Sequence, residues 1–156
     1  MSPIQQAMPL LALNEGTWEG TYRYYDAAGE KVDEHASRIV TRLPPDGPHA
    51  YVQTNHFSWP SGKREVREFT ASFRDGRIWF DSESIAGWAA EVPLDPSGRT
   101  AMLYWTRKNE PDAYLYEMIQ LSDCHRYRTR VCQWLAGGRT RLRTLIDEEK
   151  VSVARG

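Results

Sequence analysis

The strongest chemical signal lies in residues 113–121. Ala113, Leu115, Glu117, Ile119 and Leu121 alternate with Tyr114, Tyr116, Met118 and Gln120. A strand places every second side chain on one side. If the aliphatic side is the core, Glu117 is a lone carboxylate inside it. Burial raises such a pKa unless a cation answers it. A poised buried glutamate moves protons near neutral pH. Paired with a buried arginine, it is structural instead. Arg67 is a candidate partner, because it alternates in phase with Phe69 and Phe73.

Other residues could complete such a site. Trp18, Gly20, Tyr22 and Tyr24 share a face that reads as interior. Two tyrosine hydroxyls there need partners: each other, water or a ligand. In a catalytic barrel, Glu117, Tyr22 and one of Arg67, Asn55 or His56 are expected to converge on one point. Asn55 and His56 fall on opposite faces of the segment from Tyr51 to Ser58, and either face can be the inner one. His35 shares a face with Ser37 and Ile39, which makes it interior. The histidines, His35, His49, His56 and His125, show no ligand spacing. A lone interior histidine is more often a satisfied core residue than a metal ligand. No metal and no cofactor is expected. There is no G-x-G-x-x-G, no Walker lysine loop and no G-x-S-x-G elbow.

The elements that must position these residues are short and β-like. Residues 3–13 hold Ile4, Met8, Leu10, Leu11 and Leu13, broken by Pro9, which predicts a short helical turn. From Thr17 onward, β-type runs are cut by turn signals at Asp26-Gly29, Pro44-Pro48, Trp59-Gly62, Asp75-Gly76, Asp95-Gly98, Asn109-Asp112 and Gly137-Gly138. The count is about nine or ten sequential antiparallel strands. An up-and-down barrel accommodates them best, because closure removes exposed edges. The expectation is all-β, a single domain over residues 1–156.

Hairpin register then assigns faces. With Asp75-Gly76 as the loop, Phe73 faces Ile78, Ala71 faces Phe80 and Phe69 faces Ser82, all inward. The outer face would set Glu68 opposite Glu83, read as a solvated pair with Arg64 near. Around Gly137-Gly138, Trp134 pairs with Arg141, Cys132 with Arg143 and Arg128 with Asp147. That register sends Arg126, Arg128, Arg130, Arg139, Arg141 and Arg143 outward. It turns Tyr127, Thr129, Val131, Gln133 and Leu135 inward against Leu142, Thr144 and Ile146. The cavity wall is then expected to include Tyr24, His35, Phe69, Phe80, Trp88, Trp105, Tyr127 and Gln133.

Composition sets the boundaries. The chain has 156 residues, 40% hydrophobic and 26% charged, which excludes disorder. No apolar run approaches the roughly 20 residues of a spanning helix. Aromatics reach 12%, which suits a flat-walled site or a β-rich core. Lys+Arg is 20 against Asp+Glu 21, so the basic excess of a nucleic-acid binder is missing. Cys124 and Cys132 sit eight apart on one strand, cannot bridge, and read as free thiols. With no signal-like start, a cytoplasmic protein is expected.

The segment Asn14-Glu15-Gly16-Thr17-Trp18-Glu19-Gly20-Thr21-Tyr22 carries a G-x-W at the start of the first strand, after a helical turn. This resembles the calycin superfamily of lipocalins and fatty-acid-binding proteins. Tyr25-Asp26, Gly29 and Gln53-Thr54-Asn55 make it similar to an uncharacterised bacterial lipocalin-like family. The resemblance implies a cavity for a small, largely apolar molecule. Related cyanobacterial barrels are chromophore lyases for bilins. Calycins commonly pack an arginine of a late strand over the signature Trp, which makes Arg139, Arg141 and Arg143 candidates.

Three functions are open. The barrel converts a small hydrophobic or aromatic molecule by acid/base chemistry, as a lyase, isomerase, cyclase or hydratase. It carries such a molecule unchanged. Or its arginine stripe binds an acidic partner or a second subunit as a homodimer. The polar content of the expected interior favours chemistry.

Overall fold

The computed structural model describes residues 1–93 and 96–152. Asp95, the first residue of the expected Asp95-Gly98 turn, lies outside the described residues. Two short helices open the chain, α1 (Pro3–Ala7) and α2 (Pro9–Ala12). Ser2 caps α1 by accepting from the Gln5 N–H, while the Gln5 side chain answers the Ser2 N–H. Pro3 and Pro9 each begin a helix, where a missing N–H costs nothing.

Ten strands follow among the described residues: β1 (Gly16–Asp26), β2 (Lys31–Arg42), β3 (Tyr51–Ser58), β4 (Arg64–Arg74), β5 (Arg77–Asp81), β6 (Ile85–Glu91), β7 (Thr100–Arg107), β8 (Ala113–Leu121), β9 (Tyr127–Ala136) and β10 (Arg139–Ser152). Each pairs antiparallel with its sequence neighbours, and β1 pairs with β10 to close the barrel. The expected up-and-down barrel is present. No helix among the described residues is long and apolar enough to cross a membrane.

The helices close one end. Ile4, Met8 and Leu11 are buried against Leu43, Tyr51, Ile78 and Leu115. The Leu11 N–H donates to Glu91 Oε1 at 2.8 Å, and Lys150 Nζ donates to the Leu13 carbonyl at 2.7 Å. Trp18 is fully buried and donates its indole N–H to the Asn14 carbonyl at 2.9 Å. Trp18 therefore ties the plug to the wall.

The Asp75-Gly76 hairpin forms as read, with both residues at positive φ (53° and 72°). Phe73 faces Ile78 and Ala71 faces Phe80, but the ladder ends there. Ser82 does not reach Phe69, and Glu68 does not reach Glu83, because β5 stops at Asp81. Residues 64–70 of β4 pair with β3 alone.

The Gly137-Gly138 hairpin corrects the expected register. Arg139 faces Ala136 and Thr140 faces Leu135, as the two-residue loop demands. A β-bulge then sets Leu142, and not Arg141, opposite Trp134. One inserted residue inverts every later pairing. Thr144 faces Cys132, Ile146 faces Arg130 and Glu148 faces Arg128. The inner row of β9 is therefore Arg128, Arg130, Cys132 and Trp134. Tyr127 is 49% exposed and Gln133 is also exposed, so neither lines the cavity. Of the arginine stripe, Arg126, Arg139, Arg141 and Arg143 remain outside.

Gly20 explains how β10 fits. A Cβ there would overlap the Asp147 carbonyl oxygen and lie 2.8 Å from Glu148 Cγ. The missing side chain makes room for the Glu148 stem on the inner face. Gly20→Ala is expected to destabilise the barrel by about 1–3 kcal/mol, the range for overpacking. A urea melt followed by tryptophan fluorescence checks this; an unchanged midpoint would contradict it.

Candidate functional site

The barrel holds a cavity of about 100 Å³. Its walls include Phe69, Ile78, Phe80, Leu103, Trp105, Leu115, Ile119 and Trp134. Phe69 stacks on Trp105 with centroids 5.1 Å apart, and Phe80 meets the same indole edge-on at 5.4 Å. This is a flat-sided apolar chamber.

A four-membered charge cluster is set into it. Arg128, Arg130, Glu117 and Glu148 are all buried. Arg128 grips Glu148 with two parallel bonds, Nε to Oε1 at 2.8 Å and Nη2 to Oε2 at 2.9 Å. Such a fork is among the stronger protein hydrogen bonds. Its Nη1 donates to Asn14 Oδ1 at 2.7 Å, reaching the plug. Arg130 Nε donates to Glu148 Oε1 at 2.8 Å. Its Nη1 reaches Glu117 Oε1 at 3.2 Å and Oε2 at 3.5 Å. Its Nη2 donates to the Tyr22 hydroxyl oxygen. Glu117 faces inward as read, but its cation is Arg130. Arg67 instead pairs with Glu65 at 2.9 Å, its side chain 57% exposed at the cavity's edge.

The electrostatics follow from this packing. Burial pushes Glu148 upward, but Arg128 and Arg130 outweigh it and hold the carboxyl down at about 2. Burial opposes the charge on Arg130 too, yet Glu148, Tyr22 and Glu117 raise its pKa well above the ordinary value. Burial lifts the Tyr22 phenol despite Arg130, so the hydroxyl keeps its proton. Burial pushes Tyr24 up to about 12. Burial, reinforced by Glu117, also raises the Cys132 thiol.

A pH dependence of folding follows. The folded pKa of Glu148 lies below its ordinary 4.5. Its contribution is therefore complete above that value and lost as pH falls toward about 2. About 3 kcal/mol of stability is expected to disappear across this window. Urea midpoints between pH 6 and 2 test it, and a flat profile would contradict it.

The remaining residues sort by face. On β3, Tyr51, Gln53, Asn55 and Phe57 point inward, which resolves the open choice for that strand. Tyr51 donates to Gln53 Oε1 at 2.5 Å, and Gln53 Nε2 donates to Asn55 Oδ1 at 2.8 Å. The Asn55 amide nitrogen ends this relay at the cavity. His56 is exposed on the outer side and takes no part. Trp88 is also outside: it faces Trp79 and Tyr104 across neighbouring strands, with Arg77 4.5 Å over its ring. The aromatic alternation of β6 runs opposite to the expectation because Gly87, not Trp88, occupies the inner position under Trp105.

His35 is interior, but it packs and does not line the cavity. Its ring lies between Tyr22 at 5.1 Å and Trp59 at 4.3 Å. Nδ1 is 2.9 Å from Asp33 Oδ2, and Asp33 also accepts from Trp59 Nε1. Burial favours the neutral acid, but these two bonds prevail and lower the Asp33 pKa. Tyr22, Tyr24, Asn55, Arg67, Phe69, Phe80, Trp105 and Glu117 do lie on the cavity wall.

Arg128, Arg130 and Glu148 were missed as site residues. Glu148 carried a readable signal, since it alternates in phase with Thr144 and Ile146 on the face assigned inward. The late-strand arginine over the signature tryptophan is Arg128, 4.3 Å above the Trp18 ring, and not Arg139, Arg141 or Arg143. The same bulge accounts for both corrections.

Among solved structures, the S-type phycobiliprotein lyase CPES from Guillardia theta superposes with a TM-score of 0.67 at 13% identity, over 96% of this chain and 93% of that one. Rv2717c from M. tuberculosis gives 0.64 at 12% identity, over 96% and 98%. A protein of unknown function from the DUF3598 family of Nostoc punctiforme gives 0.66 at 15% identity, over 90% of this chain and 48% of that one. This chain thus spans about half the length of the Nostoc protein. No family model and no curated protein matches the sequence. The likeness is one of fold, and this chain's own fold is a closed ten-stranded antiparallel barrel.

Proposed function

We propose that the barrel takes a small hydrophobic or aromatic molecule into its cavity and converts it by acid/base chemistry without a cofactor. The observation that carries this reading is the Tyr22–Arg130–Glu117 array on the wall of an apolar chamber. Arg130 donates to the Tyr22 oxygen, so the phenolic proton is left for the cavity. The guanidinium also stabilises negative charge on that oxygen as the proton leaves. Glu117 Oε2 is held only at 3.5 Å and is the freer carboxylate oxygen. In this reading Glu117 takes a proton from substrate carbon while Tyr22 gives one elsewhere on the same molecule. The substrate balances as an isomerisation, and as an elimination if the leaving group takes the Tyr22 proton; in either case the proton on Glu117 must then pass back to the Tyr22 oxygen to reset the array. A structural neighbour named as a phycobiliprotein lyase supports the reading of the barrel as a small-molecule chamber.

A second reading, carriage without conversion, rests on a different observation. The two arginines and two glutamates balance one another, and each is bonded within the plug and wall. A static core requires the same closure. Incubating the protein in D₂O with the ligand recovered from it separates the readings. Conversion, or deuterium entering a substrate C–H position, supports proton transfer. A ligand returned unchanged and unlabelled supports carriage.

A further inference from the structure

Most polar groups of the cavity are already bonded to one another, and those that are not are mainly donors. Trp105 Nε1 is buried and has no acceptor. It is the single unpartnered buried side-chain atom, among the described residues, whose residue lines the cavity. The Tyr22 oxygen accepts from Arg130, which leaves its O–H undirected. Asn55 Oδ1 is taken by Gln53, which leaves its NH₂. Arg67 uses one nitrogen on Glu65 and keeps further N–H groups at the cavity's edge. On the acceptor side, both Glu148 oxygens are filled by arginine, and Glu117 is paired with Arg130, its Oε2 the more loosely held. Buried donors without acceptors are rare in folded proteins and point to a missing partner.

We infer that the molecule this cavity selects is an acceptor-bearing aromatic, an apolar body with a carbonyl or carboxylate oxygen that answers a donor of this set, Trp105 first, in preference to an amine. The inference rests on the ligand-chamber reading above and adds the chemistry of the ligand's polar end. Arg128 and Arg130 do not supply that recognition directly, because their N–H groups are directed to Glu148, Glu117, Tyr22 and Asn14. Phe69 and Trp105 stack on each other at 5.1 Å, so they form one joint aromatic wall against which an apolar body can lie.

The test is a calorimetric titration of the full chain with matched probes: naphthalene, 2-acetylnaphthalene, 2-naphthoate and 2-naphthylmethylamine. The ketone or the carboxylate is expected to bind about tenfold or more tighter than naphthalene, with the amine weakest. Trp105→Phe, which keeps an aromatic wall, is expected to lower ketone affinity about fivefold or more and to leave naphthalene within about twofold. A carboxylate advantage over the ketone that Arg67→Gln removes identifies a carboxylate as the polar end. No such advantage identifies a carbonyl. Naphthalene or the amine binding as tightly as the ketone would overturn the inference while leaving the chamber intact. So would Trp105→Phe weakening every probe equally. No binding by any probe would overturn the chamber itself, and the inference with it.

Discussion

Replacing Arg130 with methionine is expected to destabilise the protein by about 3–5 kcal/mol, the range for removing one partner of a buried ion pair. Glu117 would be left buried with no cation, since Arg130 is the partner in its ion pair. Glu148 would keep its fork to Arg128. The penalty therefore falls mainly on Glu117, and a second change can remove it. Arg130→Met with Glu117→Gln is expected to recover a substantial part of the loss, because a neutral amide costs less to bury than an unpaired carboxylate. Urea denaturation at neutral pH, with all three proteins side by side, measures both steps. A single variant within about 1 kcal/mol of the parent would show that the cluster is wetter and weaker than its geometry indicates.

The second large effect concerns chemistry. Tyr22→Phe removes the proton that the array presents to the cavity and keeps the ring that stacks on His35. Turnover of the recovered ligand is expected to fall by about 100-fold or more, the scale of one general acid. Glu117→Gln is expected to fall by a similar factor, since it removes the base. The double variant should fall little further, because residues acting as one unit are not additive. Affinity for the ligand is expected to change far less than turnover in each case. Measured kcat/KM and Kd for the three variants decide it. A Tyr22→Phe protein that turns over normally would remove Tyr22 from the chemistry and leave carriage as the function.

The contrast between what was readable and what was not is physical. Turn residues are strong local signals, so the strand order, the Asp75-Gly76 hairpin and the closed barrel could be read directly. Faces were readable wherever alternation was strict, as in β1 and β8. That placed Tyr22, Tyr24 and Glu117 inside. The failure came from one bulged residue, Arg141, whose insertion changes no local composition but flips β9 against β10. Tyr127 and Gln133 thereby left the site, and Arg128 and Arg130 entered it. Local pattern also favoured burying Trp88. Its true neighbours, Trp79, Tyr104 and Arg77, come from other strands and form an aromatic surface that a strand-by-strand reading does not reveal.

His35 illustrates a different limit. Its interior position was readable from Ser37 and Ile39. Whether an interior side chain faces a cavity or another ring depends on the barrel's cross-section, which alternation does not encode. Phe57, Trp59 and Tyr22 fill the space around it.

Native mass spectrometry of the purified protein tests the central claim most directly. The parent is compared with Leu103→Trp, a change that fills the chamber at a cost of about 1–3 kcal/mol. Each is measured as isolated and again after incubation with excess 2-acetylnaphthalene. The parent is expected to hold one small organic molecule, either carried from the cell or taken from solution, and to release it on denaturation. Leu103→Trp is expected to stay at its bare mass. A parent that remains at its bare mass in both conditions, or a filled variant that binds equally well, would contradict a ligand chamber inside this barrel.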